Sequence, residues 1–154
     1  MDAEIDDSDR TILRAIQADR RIGLDVLADK CGLSVPSMQR RLKRLKESGI
    51  VEREVAILNP ASLDYSMTFI VLVELERESL QELDVFRKRV KAEPQVQQCY
   101  YVTGEADFIL ICTAKDMQDF EALTQSLFFE NSNVRRFRTS VAMQRTKVGL
   151  TIPV

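Results

Sequence analysis

Apolar positions along the first sixty residues recur at helical spacing. Ile12, Leu13 and Ile16 supply one apolar side behind Asp6, a residue suited to cap a helix start, and the pattern runs out near Asp19, Arg20 and Arg21. Leu24, Leu27 and Cys31 line one face of a second, short helix, with Gly32 standing where a left-handed helix end is needed. Leu33 plugs the turn and Ser34 caps a third helix, Val35 to about Ser48, with Pro36 in the first turn where its missing N–H does no harm. Val35, Met38, Leu42 and Leu45 are spaced 3, 4 and 3, which makes one inward stripe. Ser37, Gln39, Arg40, Arg41, Lys43, Arg44 and Lys46 fall on the other faces, and Gly49 ends the helix. Two helices joined by a short glycine-containing turn, the second basic and polar outside, predict a helix-turn-helix. The apolar spacing by itself would suit any short helical hairpin.

Val51 to Leu58 alternates weakly and predicts a short strand or wing. Asn59-Pro60 then breaks the pattern and marks a domain boundary, giving units 1–60 and 61–154. Met67 to Glu76 is rich in strand formers, and Leu80, Leu83, Phe86 and Val90 follow at helical spacing. Val96 to Val102 and Phe108 to Thr113 read as strands. Met117, Phe120, Leu123 and Leu127 repeat the earlier helical spacing 37 residues later, and Val134 to Met143 closes as a strand. The order β-α-β-β-α-β is the ferredoxin-like double unit, so the fold class is α+β: an N-terminal winged helix-turn-helix domain joined to a ferredoxin-like domain. Two helices cover one sheet face, yet both alternating sets are apolar: Phe69, Val71 and Val73 on one, Ile70 and Leu72 on the other. A second copy laid sheet to sheet would cover the bare face, and a homodimer would supply two recognition helices to a two-fold DNA site.

Composition narrows the chemistry. The 154 residues are 45% hydrophobic and 30% charged, ordinary globular values. No apolar run approaches the roughly 18 residues of a membrane-spanning helix. The acidic start MDAEIDDSDR resembles neither a secretory signal nor a transit peptide. Cys31, Cys99 and Cys112 are odd in number and unclustered, which predicts neither a disulfide framework nor a zinc knuckle and points to a reducing cytoplasm. Histidine is absent, which removes Ser-His-Asp and Cys-His catalysis and histidine-based zinc chemistry. The 22 basic side chains divide 11 and 11 between residues 1–60 and 61–154, and the 24 acidic ones 11 and 13, a net charge of -2. Within that balance Asp2, Glu4, Asp6, Asp7 and Asp9 crowd the start, while Ser34 to Arg53 hold six basic against two acidic residues. A basic face hidden in an acidic total is one form of DNA footprint; a solvated helix face is the other reading.

The segment LADKCGLSVPSMQRRLKRLKESGIV, followed by CYYVTGEADFILICTA, resembles the Lrp/AsnC (feast/famine) transcription regulators from Ile5 to about Pro153. Two departures stand out: Gly23 where the family often has a capping serine, and Asp64 where it often has glycine. Aspartate accepts a left-handed backbone better than most residues, so the hinge is expected to survive.

In a helix-turn-helix the first turns of the second helix meet base edges. That assigns Pro36, Ser37, Gln39, Arg40 and Lys43 to base reading, with Gln39 suited to adenine and Arg40 to guanine. Arg41, Arg44 and Lys46 are expected at phosphates with the Ser34 amide, and Arg20 or Arg21 at the backbone beside them. The resemblance further implies an amino-acid effector held by Gly104 and Asp107 near a contact between dimers. Tyr100, Val102, Thr103, Glu105 and Ala106 complete that loop, and Met117, Ser140, Val141 and Ala142 shape the side-chain pocket. A glycine lets backbone amides approach a carboxylate, and an aspartate can hold an ammonium; read without the family, VTGEAD is an ordinary hairpin turn. The expected partners are double-stranded DNA, an amino-acid effector and further copies of the chain in a dimer, tetramer or octamer, with no membrane, cofactor or metal. Two other readings compete: an architectural DNA-binding protein without effector, and a subunit similar to siroheme decarboxylases, which the lack of histidine disfavours.

Overall fold

A computed structural model describes residues 5–77, 79–130 and 133–154. Asp2 and Glu4 of the acidic cluster lie outside them. The chain divides into two units: one runs to Ile57 and includes Val148–Val154, the other is Leu58–Lys147.

The first unit holds α1 (Asp7–Ala18), α2 (Leu24–Cys31) and α3 (Val35–Glu47). Asp6 caps α1 by accepting from the Asp9 amide at 2.8 Å, and Asp9 accepts from the Asp6 amide at 3.3 Å, so two orphan N–H groups are satisfied reciprocally. Gly23 caps α2 without a side-chain bond. Ile12, Leu27, Met38 and Leu45 are fully buried where the three helices meet, whereas Val35 of the expected stripe is exposed. Gly32 ends α2 at φ +62°, letting the Leu33 amide reach the Ala28 carbonyl at 2.9 Å. A Cβ there would meet nothing within 4 Å, so only the backbone conformation demands glycine. Gly32→Ala is therefore expected to cost about 1–2 kcal/mol, read by urea unfolding, and Gly32→Asn clearly less. Equal losses for both would point to a steric cause instead.

Residues 51–58, the candidate strand, form none. Strands need a partner's hydrogen bonds, and among the described residues no strand pairs with this stretch; Val55, Ile57 and Leu58 are exposed. The boundary also differs at the C-terminal side, because Val148–Val154 belongs with the helices. The Gln17 amide holds Ile152 at both backbone groups, donating to its carbonyl at 3.1 Å and accepting from its N–H at 2.8 Å. Arg14 donates to the Val154 carbonyl, and Val154 packs against the helical core.

The second unit opens with Asn59 capping a single turn of 3-10 helix, Pro60–Leu63, ended by Asp64 at φ +64°. Aspartate thus takes the left-handed conformation expected of it. The sheet comprises β1 (Met67–Leu75), β2 (Val96–Tyr101), β3 (Phe108–Ala114) and β4 (Val134–Val141) in the order β2-β3-β1-β4, all antiparallel. The helices α4 (Leu80–Ala92) and α5 (Met117–Thr124), the latter running into a wider π turn at Gln125–Phe129, complete β-α-β-β-α-β. Phe69, Val71, Val73, Phe108, Leu110 and Cys112 pack with Leu83, Phe86, Val90, Phe120, Leu123 and Leu127. The first member of each repeated set stays out: Leu80 is 79% exposed and Met117 56%. Ile70, Leu72, Ile109 and Ile111 alternate with the core-facing residues and are only partly buried, so the second sheet face is apolar as expected.

Candidate functional site

On α3, Ser34 accepts from the Ser37 amide at 3.4 Å through its side chain and from the Met38 amide at 2.9 Å through its carbonyl, and Pro36 between them carries no N–H. Met38, Leu42 and Leu45 face inward, and Gln39, Arg40 and Lys43 are exposed. The five cations of α3 do not stand alike. Arg41 donates through Nη1 to Asp6 at 2.7 Å and to Asp9 at 3.0 Å, and Arg44 pairs with the second oxygen of Asp9. The Asp9 side chain is completely buried. Lys46 meets Glu54 at 3.0 Å, and Arg20 pairs with the same carboxylate. Lys43 reaches Glu47 one turn on at 3.6 Å. Among the described residues Arg40 has no acidic partner.

These pairings leave marks on the acids. The Asp9 amide, and then the Arg41 guanidinium, hold the Asp6 carboxyl below its ordinary value. Arg20 and Lys46 do the same for Glu54. Arg41, Arg44 and Lys46, the three expected at phosphates, each face a carboxylate of their own chain. Arg20 is likewise engaged, and Arg21 lies beside Asp19 at 3.3 Å. Asp9 and Glu54, which organise this surface, were missed by reading the sequence. The Asp6 to Asp9 spacing of a capping box was the available signal for the first.

The loop between β2 and β3 turns at Gly104, φ +121°, a conformation that excludes other residues without strain. The Val102 amide donates to the Asp107 carbonyl at 2.9 Å, and the Asp107 amide donates to the Val73 carbonyl at 2.9 Å. The Asp107 carboxylate accepts from the Leu75 N–H at 2.6 Å, beside a register shift between Glu74 and Leu75. Asp107 thus holds β1 beside that shift with one oxygen, and among the described residues its other oxygen has no partner. Ala106 is buried, while Thr103 and Glu105 are exposed and Glu105 lies 3.4 Å from Arg138. Arg138 also approaches Glu74, which holds Arg136 by both oxygens at 2.8 and 2.9 Å. Tyr100, opposite Ile109 on the open face, donates its hydroxyl to Gln98 at 2.9 Å.

The remaining expected effector residues sit at the other end of the sheet. Ser140 opposes Ile70, Val141 opposes Phe69, and the Ala142 amide donates to the Thr68 carbonyl at 2.9 Å. Met117 follows β3, whose last residue opposes Met67, and it lines an open groove with Phe120, Thr124 and Phe137. Asp107 precedes Phe108, which opposes Val73. Counted along β1 from Val73, Ser140 lies level with the third residue on, and Met117 follows the strand end level with the sixth, roughly 10 to 20 Å along the sheet.

Burial pushes the Cys112 thiol up to about 12 and raises Cys31 and Cys99 as well.

Residues 68–151 match the model of the Lrp/AsnC ligand binding domain, and residues 5–52 that of a winged helix-turn-helix DNA-binding segment. The chain belongs to the Lrp/AsnC family. A helix-turn-helix-type transcriptional regulator of Sinorhizobium fredii is 43% identical over 98% of this chain and 89% of its own length. The leucine-responsive regulatory protein of Rhizobium meliloti is 33% identical over 98% and 97%. A transcriptional regulator of Neisseria meningitidis, solved as its L-Met complex, matches with a TM-score of 0.91 at 27% identity, covering 97% of each chain. As a Lrp/AsnC protein the chain is a transcriptional regulator with a helix-turn-helix and a ligand-binding domain, and its named relatives are regulators too. No helix among the described residues is long and apolar enough to cross a membrane.

Proposed function

We propose that this regulator reads DNA through the exposed first turns of α3 and answers to a free amino acid bound by its C-terminal unit in an assembly of paired copies. The observation that carries the DNA half is Arg40: an exposed guanidinium near the helix start with no internal partner among the described residues. A fork of N–H donors free of internal acids is suited to the O6/N7 edge of guanine. Gln39 is exposed beside it and suits adenine; Pro36 and Ser37 lie in the same first turns, and Lys43 reaches out one turn on.

The effector reading rests on the loop at Gly104 and on the free oxygen of Asp107, where an ammonium fits. The L-Met bound by the Neisseria relative supports an amino acid as the class. A pocket using both the loop and the Met117, Ser140–Ala142 set needs two copies, and the apolar sheet face favours association as well. Dimers that build into a tetramer or octamer satisfy both demands. No catalytic role, cofactor or metal enters this proposal, and it places the protein in the cytoplasm.

The test is a gel shift on DNA from upstream of the protein's own gene, at two salt concentrations, with and without the twenty amino acids. Sequence-preferring bands that change with the amino acids support the proposal; binding that ignores both would favour an architectural protein. Within this assay Arg40→Ala is expected to weaken specific binding by about 1–3 kcal/mol and to relax preference at one base pair. An equal loss on all sequences would move Arg40 to a phosphate.

A further inference from the structure

Asp9 lies on the first turn of α1, yet its carboxylate is spent on α3. One oxygen accepts from Arg41 and the other from Arg44, across 32 and 35 residues of chain, while the Asp6 amide closes the group from behind. Asp6 adds a second acceptor for Arg41 at 2.7 Å. The capping box that starts α1 is thus also the seat of two guanidinium groups. A buried carboxylate left without them would be strongly destabilising, so the arrangement holds as a unit.

Arg41 and Arg44 are one turn apart on the same flank of α3; Arg41 is partly buried there, and Arg44 is half-exposed. Only Met38, Leu42 and Leu45 of α3 are buried. So narrow a stripe sets the depth of the helix but resists poorly its rolling about its own axis. A roll of one residue, about 100°, would replace the side chains presented outward. Two forks fixed to one buried anion resist that roll.

We infer that Asp9 is a positioning residue for DNA reading: it fixes the rotation of α3 and withholds Arg41 and Arg44 from phosphates. This rests on the DNA-reading role proposed for α3. It divides the basic residues of the helix into two that hold its orientation and others, led by Arg40, that meet nucleic acid.

The experiment measures binding of the full-length protein to two labelled duplexes, one from upstream of its own gene and one unrelated, over a salt series. Each cation that meets a phosphate contributes about 0.9 to the slope of log K against log salt. Arg44→Gln is expected to leave the slope unchanged and to reduce preference for the upstream duplex. Arg44→Lys, which keeps the charge but loses the fork, is expected not to restore that preference. Asp9→Asn is expected to steepen the slope on both duplexes, by about 0.9 for each arginine released, while preference falls. A slope reduced by about 0.9 in Arg44→Gln and recovered in Arg44→Lys would make Arg44 a phosphate contact and overturn the inference. If Asp9→Asn fails to fold, as its helical circular dichroism would reveal, the Arg44 pair decides alone. Should the wild type bind neither duplex, the DNA-reading role falls. The clamp would then be judged by an Asp9–Arg44 double-mutant cycle in urea, where additive losses would overturn it.

Discussion

Phe69→Ala is expected to lower the stability of the C-terminal unit by about 3–5 kcal/mol. Phe69 is wholly buried on β1, an inner strand of the sheet, where it opposes Cys112 on one side and Val141 on the other. Its ring stacks on Phe120 of α5 with centroids 3.7 Å apart and planes within 4° of parallel. Truncation removes both the transfer free energy of a large apolar group and the contact that ties α5 to the sheet. Tyrosine fluorescence in urea is a selective measurement, because Tyr65, Tyr100 and Tyr101 all lie in the second unit and the chain has no tryptophan. A loss below about 1 kcal/mol would mean that the sheet and α5 close over the gap, contrary to a tightly packed core.

Asp107→Asn carries the second large effect. The amide oxygen of asparagine can still accept from the Leu75 N–H, so the β1–β4 register and the unfolding midpoint are expected to survive. What disappears is the negative charge for an ammonium, worth about 1.5–3 kcal/mol, or a roughly 10- to 150-fold rise in effector Kd. Calorimetry with L-methionine as the first probe, then with whichever amino acid shifts the gel, reads this directly. Asp107→Ala is the poorer experiment, since it also leaves the Leu75 N–H without its acceptor. Unchanged affinity in Asp107→Asn, with a normal fold, would retire Asp107 as a ligand contact.

What could be read in advance divides along the range of the interactions. Asp6, Gly32 and Ser34 act within four residues of their partners, and each caps its helix as expected. The repeated apolar spacing of α4 and α5 was legible because each helix face is a local periodicity, although Leu80 and Met117 at the front of each set turned out to be exposed. Charge was legible only as composition. Whether an arginine faces solvent or a buried aspartate depends on a partner 35 residues away, and nothing in the local pattern distinguishes Arg40 from Arg44. The effector residues show the same limit: Gly104 was legible as a turn, but the register shift that occupies Asp107 arises between β1 and β4.

The return of Val148–Val154 to the helices makes the first unit discontinuous in sequence, with residues 58–147 between its two parts. A hybrid regulator joined at Ile57 would carry three helices without the segment that Gln17 and Arg14 hold. Exchange of sensors between relatives should then work better by replacing residues 58–147 between two junctions than by trading everything after one.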